Sequence, residues 1–250
     1  MIQTSSVTRR HGSFVAVDNV TASIGPGVTA IIGPNGAGKS TLLSAIGRLM
    51  SPDEGTITID GRDVATTKSR EIAQALAILK QDNHLAIRLS VQDLVAYGRY
   101  PHGGSGRADE DRSHVERAID LLDLGAVRTR YLDELSGGQR QRAFVAMAIA
   151  QDTSHLLLDE PLNNLDPRHG VGLMKLVRQL ADERGMTVVI VMHDINVAAA
   201  YADQIVAMRD GRVVEHGPVD DVITQECLED LYDTPATVAT VADRRIVLWT

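Results

Sequence analysis

The residues from Gly33 to Ser40 constrain the fold of this chain more than any other feature of its sequence. They fit the spacing G-x-x-x-x-G-K-[ST]. With the residue that follows, they are Gly33, Pro34, Asn35, Gly36, Ala37, Gly38, Lys39, Ser40 and Thr41. An apolar run over 28–32 precedes the loop with strand character, and leucine and isoleucine side chains follow it at helical spacing. This strand–loop–helix context favours a phosphate-binding loop over an ordinary glycine-rich turn.

Each part of this loop has a chemical role toward a bound phosphate. Glycine lets the backbone curl so that successive N–H groups point inward, and the dipole of the following helix favours an anion. Lys39 has the reach to contact the β- and γ-phosphates, and the Ser40 hydroxyl suits Mg²⁺. The loop therefore predicts a nucleoside triphosphate with Mg²⁺, although kinases, GTPases, helicases and transport motors all share it.

Two adjacent carboxylates, Asp159 and Glu160, end an apolar run that is predicted to be a buried strand. In a parallel sheet the C-terminal ends of the strands border the crevice where ligands bind. Adjacent strand residues point to opposite sides, so the two carboxylates can act separately. Asp159 is predicted to hold the Mg²⁺ shell, and Glu160 to orient or deprotonate the attacking water. The Asp159–Glu160 pair is weak evidence for a nucleotide site by itself and strong evidence in a chain that also has the Gly33 loop.

A second anion-binding pattern lies downstream of the first. A hydroxyl, two glycines and a helix start occur in sequence at Ser136, Gly137, Gly138 and Gln139. The Ser-x-x-Gln spacing predicts a capping box, and a helix N-terminus of this kind also attracts anions. Because the Gly33 loop already forms a complete cradle, we interpret this stretch as serving the nucleotide on a partner subunit. The alternative interpretation of Ser-Gly-Gly is a plain helix cap.

The order of predicted elements indicates an α/β protein. Strands are predicted at 14–17, 20–24, 28–32, 56–60, 76–79, 155–159 and 187–192. From about residue 86 to residue 150, helical periodicity replaces strand signals, with a capping box predicted at Ser90 and Asp93. The chain is therefore predicted to be an α/β core interrupted by a helical insertion. An acidic, amphipathic segment from Val219 follows, and the sequence leaves its role open.

Composition restricts the partners and the compartment. The 250 residues carry a formal net charge of −8, which argues against a nucleic-acid partner. Cys227 is the single cysteine, so no internal disulfide forms and no oxidising compartment is needed. The longest unbroken apolar run, 143–150, is far shorter than the ~18 residues that span a bilayer. We expect a cytoplasmic chain that does not cross a membrane alone but could dock on a membrane protein.

Taken together and in this order, the motifs resemble the nucleotide-binding subunits of ABC transporters. The resemblance rests on LSGGQ at 135–139, the Gly33 loop and LLLDEP at 156–161, and it extends to about residue 220. It implies a P-loop NTPase (RecA-like) core with an N-terminal antiparallel β subdomain and an inserted helical subdomain. It also implies an ATP-binding domain over 1–236, with the helical subdomain at about 86–150, and a C-terminal tail over 237–250.

Further site residues follow from the resemblance. Gln81 matches the Q-loop glutamine, which touches Mg²⁺ and the attacking water, and His193 matches the switch histidine at the γ-phosphate. Asp166 lies in the segment that matches the D-loop, which crosses the dimer interface. The implied catalytic residues are Glu160, His193 and Gln81. The implied metal ligands are Ser40, Gln81 and Asp159.

The adenine contact departs from the family pattern. The family usually stacks a tyrosine on adenine, just before a glycine near the N-terminus. This chain has His11 before Gly12, with Phe14 three residues beyond His11. An imidazole can stack, but with less area than a phenol ring. His11 is the predicted adenine contact, and the alternative is a solvated loop residue.

Four longer sequence segments around these motifs are similar to those of the ATPases of ferric-siderophore importers. These segments are residues 93–101, 131–135, 159–166 and 191–196. This resemblance implies ATP and Mg²⁺ as cofactors and a homodimer of ATPase subunits. It also implies separate integral membrane permease subunits, a substrate-binding lipoprotein as an indirect partner, and a peripheral location of this chain at the cytoplasmic face of the cell membrane. Importers of haem, cobalamin or metal ions are the alternative, and an ABC ATPase acting on nucleic acid is a remote one.

Overall fold

The computed structural model describes residues 1–81, 87–103, 108–242 and 244–250. The strands are β1 (Ile2–His11), β2 (Phe14–Ile24), β3 (Gly27–Ile32), β4 (Glu54–Ile59), β5 (Arg62–Asp63), β6 (Leu76–Leu79), β7 (His155–Asp159), β8 (Thr187–Val191), β9 (Gln204–Arg209), β10 (Arg212–Pro218), β11 (Ala236–Val241) and β12 (Arg244–Trp249). The helices are α1 (Lys39–Ile46), α2 (Ser69–Ala75), α3 (Val91–Tyr97), α4 (Ala108–Leu121), α5 (Gly137–Ala150), α6 (Pro167–Arg184), α7 (Ile195–Tyr201), α8 (Val219–Val222) and α9 (Gln225–Tyr232).

A six-stranded sheet forms the centre of the protein, in the order β10-β9-β3-β8-β7-β6. The pairs β3–β8, β3–β9, β6–β7 and β7–β8 are parallel, and only the β9–β10 edge pair is antiparallel. Every residue of β7 and of β8 is buried, as expected for parallel strands that are covered on both faces. The C-terminal ends of β3, β7 and β8 therefore meet at one edge of the sheet, where the predicted loop and carboxylates follow.

An antiparallel sheet, in the order β2-β1-β4-β5, lies beside this core and corrects two predictions. The strand β1 was absent from the predicted elements because its polar residues and register shifts interrupt the alternation of apolar side chains. The two strands predicted at 14–17 and 20–24 are one continuous strand, β2. Asn19, at φ 51°, forms an irregularity within β2 while pairing with β1 resumes on both sides of it. The predicted antiparallel β subdomain is confirmed.

The helices α3, α4 and α5 form the helical part, and the predicted start near residue 86 lies outside the described residues. Both predicted capping boxes are present. Ser90 accepts a hydrogen bond from the Asp93 N–H while the Asp93 carboxylate accepts one from the Ser90 N–H. Ser136 and Gln139 make the same reciprocal pair at α5. These caps fix the helix starts because they satisfy N–H groups that have no partner within the helix.

The segment after β10 folds back onto the core. It forms α8, α9 and the hairpin β11–β12, and Leu228, Leu231, Ala236 and Val247 join the main hydrophobic core. Asn196 on α7 holds β12 through both backbone groups of Val247, at 2.7 and 3.2 Å. The domain limits at 236 and 237 stay a prediction. Within the described residues, no helix is both long and apolar enough to cross a membrane.

Candidate active site

The Gly33 loop connects β3 to α1 and borders a cavity of about 600 Å³. Its backbone needs glycine at two positions. Gly33 has φ +143°, and a Cβ there would lie 2.0 Å from the Met208 carbonyl oxygen. Gly38 has φ +94°, and a Cβ would lie 2.1 Å from the Ala16 carbonyl oxygen. The cavity is lined by His11, Phe14, Ala16, residues 35–41, Gln81, Glu160 and His193.

Among the described residues that line this cavity, Lys39 alone carries an ammonium group. Its Nζ donates to the carbonyl oxygens of Gly33, at 2.7 Å, and Pro34, at 2.9 Å. Burial lowers the pKa of Lys39, while the nearby carboxylates of Glu160 and Asp159 oppose that shift. Lys39 is also the first residue of α1, where Gly38 has no side chain to cap the free N–H groups. The cavity thus has the ammonium and backbone N–H groups that an anion requires.

Asp159 lies at the end of β7, directly against the Gly33 loop. Its Oδ1 accepts a hydrogen bond from Ser40 Oγ at 2.9 Å, and the residue is 5% exposed. Burial raises the pKa of the Asp159 carboxyl, the Ser40 hydrogen bond opposes this shift, and the charge of Glu160 adds to it. A carboxylate and a hydroxyl this close are oxygen donors that suit Mg²⁺, which completes its shell with phosphates and water. Ser40 and Asp159 therefore fit the predicted metal site.

Glu160 occupies the centre of a group of hydrogen-bond donors. Its Oε2 accepts from Gln81 Nε2 at 2.8 Å and from Asn163 Nδ2 at 2.7 Å. Its Oε1 lies 2.5 Å from His193 Nε2. The Glu160 backbone has φ +49°, a left-handed conformation that is uncommon outside glycine. The predicted catalytic residues Gln81 and His193 therefore both contact Glu160, and Gln81 bonds to Glu160 rather than to Ser40 or Asp159.

The predicted adenine contact, His11, also lines the cavity. His11 and Phe14 pair across the turn between β1 and β2, where Gly12 has φ +61°. Both residues line the cavity, and Phe14 is 60% exposed although it is a large apolar side chain. Two aromatic rings are thus presented to a ligand on the Gly33 loop. Stacking of adenine on His11 stays a prediction, with Phe14 as a second ring at the same place.

The residues Ser136, Gly137, Gly138, Gln139 and Asp166 do not line this cavity, as far as the described residues show. The segment 136–139 lies beside the segment 164–166 instead. A Cβ on Gly138 would lie 3.2 Å from the Asn164 carbonyl oxygen, two residues before Asp166. Asp166 caps α6 by accepting from the His169 N–H, and its Oδ2 lies 2.8 Å from His169 Nδ1. One chain therefore carries the two predicted anion-binding segments at separate places.

Asn163 is a site residue that the sequence reasoning missed. Its side-chain amide donates to Glu160 Oε2, and its backbone N–H donates to the Glu160 carbonyl oxygen at 3.2 Å. Both hydrogen bonds fix Glu160, so we treat Asn163 as a positioning residue. The signal in the sequence was an amide three residues after the carboxylate, close enough to turn back on it.

Replacing Asn163 by alanine is expected to lower kcat for ATP hydrolysis roughly tenfold with KM for ATP little changed. A hydrogen bond to a charged group is lost, which corresponds to about 1.5 kcal/mol. Steady-state phosphate release measures both constants. Asn163→Ser keeps a donor at this position and should recover part of the rate. An unchanged kcat in Asn163→Ala would contradict the positioning role.

Comparison with known proteins assigns the family. The family model described as "ABC transporter" matches residues 17–163. The chain belongs to the ABC transporter family. It is therefore a transport ATPase of this family, an ATP-binding cassette, and the family resemblance found in the sequence is confirmed.

Relatives and solved structures of ABC proteins match almost the whole cassette. The petrobactin import ATP-binding protein YclP of Bacillus subtilis (strain 168) is 46% identical over 98% of each chain. The ferric enterobactin transport ATP-binding protein FepC of Escherichia coli (strain K12) is 40% identical, over 90% of this chain and 84% of its own. The dimeric structure of MJ0796, a bacterial ABC transporter cassette, is 30% identical with a TM-score of 0.80, covering 88% of this chain and 99% of that one. The predicted fold class is thereby confirmed.

Proposed function

We propose that this cassette is the ATP-hydrolysing subunit of an importer of ferric siderophores, working as a homodimer on separate permease subunits. The observation that carries the hydrolytic part is the convergence of Gln81, Asn163 and His193 on Glu160 at the edge of the Gly33 cavity. The similarity to YclP and FepC, whose names state siderophore import, supports the cargo.

ATP hydrolysis requires the charges of the nucleotide to be stabilised, and this chain has groups that suit the phosphates and Mg²⁺. The loop N–H groups and Lys39 would bind the phosphates, and Ser40 with Asp159 would hold Mg²⁺, which neutralises the charge on the transferred phosphoryl group. Gln81 is proposed as a further Mg²⁺ ligand. Glu160 would orient the attacking water and accept its proton, and His193 would contact the γ-phosphate.

The site would be complete only between two copies. Ser136, Gly137, Gly138, Gln139 and Asp166 lie outside the cavity of their own chain, which supports their use by the partner. A head-to-tail pair would place these groups of one copy over the Gly33 loop of the other. Closure then excludes all water except the attacking molecule, and release of phosphate reopens the dimer. The structural similarity to the dimeric MJ0796 cassette supports such a pair.

An exposed groove supports docking of a permease subunit. The groove has a volume of about 530 Å³ and lies between the core and the helical part, with Ile72, Tyr97, Tyr100 and Met147 in its lining. Tyr97 is 53% exposed and Tyr100 is 83% exposed. Rings that face water in this way are typical of a surface that a partner covers. We propose that a permease helix docks here and that the cassette works at the cytoplasmic face of the cell membrane.

The cargo itself would never touch this chain, so its identity rests on similarity alone. Importers of haem, cobalamin or metal ions stay the alternative. The substrate-binding lipoprotein would act on the permease and not on the cassette. A nucleic-acid partner is disfavoured by the net charge of −8.

Uptake in cells that lack this chain tests the cargo. We expect such cells to lose accumulation of ⁵⁵Fe supplied as ferric petrobactin or ferric enterobactin while keeping uptake of haem and cobalamin. The wild-type chain supplied in trans should restore iron uptake, and Lys39→Ala should not. Loss of haem or cobalamin uptake with normal siderophore uptake would reject the siderophore assignment and leave the ATPase assignment intact.

A further inference from the structure

The first residue of the phosphate loop is held at both backbone groups by side chains. The Gly33 N–H donates to the phenol oxygen of Tyr232 at 3.0 Å, a contact across 199 residues of sequence. The Gly33 carbonyl oxygen accepts from Lys39 Nζ at 2.7 Å. Gly33 is buried, so an N–H without this acceptor would be costly to leave unpaired. The contact with Tyr232 has no part in the binding of phosphate or Mg²⁺ or in the orientation of the attacking water proposed above.

Tyr232 is the last residue of α9, and the C-terminal hairpin fixes its ring. The ring packs edge-on against Trp249 of β12, with centroids 5.2 Å apart and an angle of 72° between the planes. Burial raises the pKa of the Tyr232 phenol to about 12, so the hydroxyl stays neutral over the range in which proteins work. The phenol oxygen thus accepts from the Gly33 N–H while it keeps its own proton.

The same hairpin also holds the helix that follows the switch histidine. Asn196 lies in the first turn of α7, three residues after His193. Its side-chain oxygen accepts from the Val247 N–H at 2.7 Å, and its amide donates to the Val247 carbonyl oxygen at 3.2 Å. Val247 lies two residues before Trp249 in β12. The hairpin β11–β12 therefore contacts α7 directly and the Gly33 loop through Tyr232.

We propose that Tyr232 is a positioning residue for nucleotide binding and that nucleotide on the Gly33 loop is sensed at Trp249 through it. The inference rests on the proposed binding of ATP by this loop. Tyr232 fixes the Gly33 peptide from behind, so that the Gly33 carbonyl and Lys39 keep one arrangement. Loss of the phenol oxygen frees that peptide to rotate and spreads the loop over conformations that bind phosphate poorly.

The test compares Tyr232→Phe with the wild-type chain. Phenylalanine keeps the ring against Trp249 and removes only the oxygen that accepts from Gly33. We expect the Kd for ATP, measured by isothermal titration calorimetry, to rise roughly tenfold. The kcat at saturating ATP should stay close to wild type, whereas the Tm of the nucleotide-free protein should fall by a few degrees because the Gly33 N–H loses its acceptor. The matched control is Tyr201→Phe, which removes a phenol oxygen from α7 without affecting the bond to Gly33 and should leave the Kd unchanged.

Trp249 supplies a second readout because it is the only tryptophan of the chain. ATP should change its fluorescence emission in the wild-type chain and in Tyr201→Phe, and the change should be much smaller in Tyr232→Phe at saturating ATP. A Kd and an emission change equal to wild type in Tyr232→Phe would overturn the inference. Wild-type protein that binds no ATP would instead reject the proposed function, which separates the two failures.

Discussion

Replacing Glu160 by glutamine is expected to lower kcat for ATP hydrolysis roughly 1,000-fold while ATP still binds. The substitution keeps the size of the side chain and removes its ability to accept a proton from the attacking water, a contribution of about 100- to 10,000-fold for general bases. Lys39, Ser40 and Asp159 stay in place, so the phosphates and Mg²⁺ keep their ligands. Phosphate release under saturating ATP measures the loss of turnover.

The same variant should accumulate as a dimer when ATP and Mg²⁺ are present, because hydrolysis no longer removes the nucleotide that joins the two copies. Size-exclusion chromatography with light scattering gives the mass directly. Glu116→Gln is a matched control, since Glu116 pairs with Arg128 on the surface of the helical part. That control should keep wild-type turnover. Turnover of Glu160→Gln within a few-fold of wild type would remove Glu160 from the catalytic role.

Replacing Ser136 by aspartate is expected to reduce hydrolysis at least roughly 100-fold, a typical loss when one charge-stabilising contact is removed from an active site. Aspartate is a good N-cap, so it preserves the start of α5 that Ser136 now caps. It also introduces a carboxylate that would face the γ-phosphate of the nucleotide on the partner. ATP binding to the isolated monomer should be unaffected, because Ser136 is not among the residues lining the cavity of its own chain.

Thr224→Asp is the control for this substitution. Thr224 caps α9 by accepting from the Cys227 N–H, so aspartate there makes the same chemical change at another helix start. Its hydrolysis should stay near wild type. If Ser136→Asp lost ATP binding as a monomer, or if it hydrolysed ATP normally, the assignment of Ser136 to the site of a partner would be contradicted.

The parts of the fold that the sequence predicted are those determined by local patterns. Continuous apolar runs indicated the central strands, and the cap residues Ser90 and Ser136 marked two helix starts that the structure has in the same places. The strand β1 escaped prediction because its stability comes from pairing with β2 and β4 rather than from its own alternation of side chains. The C-terminal hairpin was also missed: β11 and β12 pair with each other, but the contacts of β12 with Asn196 and Tyr232 that hold the hairpin on the core exist only in the folded chain.

For the site as well, local sequence patterns predicted some features, and contacts made only in the folded chain were missed. The spacing around Gly33 and the adjacent carboxylates specified the residue types that phosphate and Mg²⁺ require, and the structure places Asp159 against Ser40 and Glu160 against His193. Contacts that depend on the tertiary fold could not be predicted from the sequence. The hydrogen bond from Gly33 to Tyr232 joins residues 199 positions apart, and no local sequence pattern predicts it.

The claim that one ATP site is built from two copies is tested most directly by cross-linking between them. Cys227 is the single cysteine, so a Cys227→Ser chain that also carries Glu160→Gln offers no thiol. Asn35→Cys is added to one preparation and Ser136→Cys to another, and the two are mixed with ATP, Mg²⁺ and a short bismaleimide. We predict a covalent dimer in the mixture with ATP, and little in either preparation alone or without nucleotide. A mixture that stays monomeric on a denaturing gel with ATP bound would contradict the shared site.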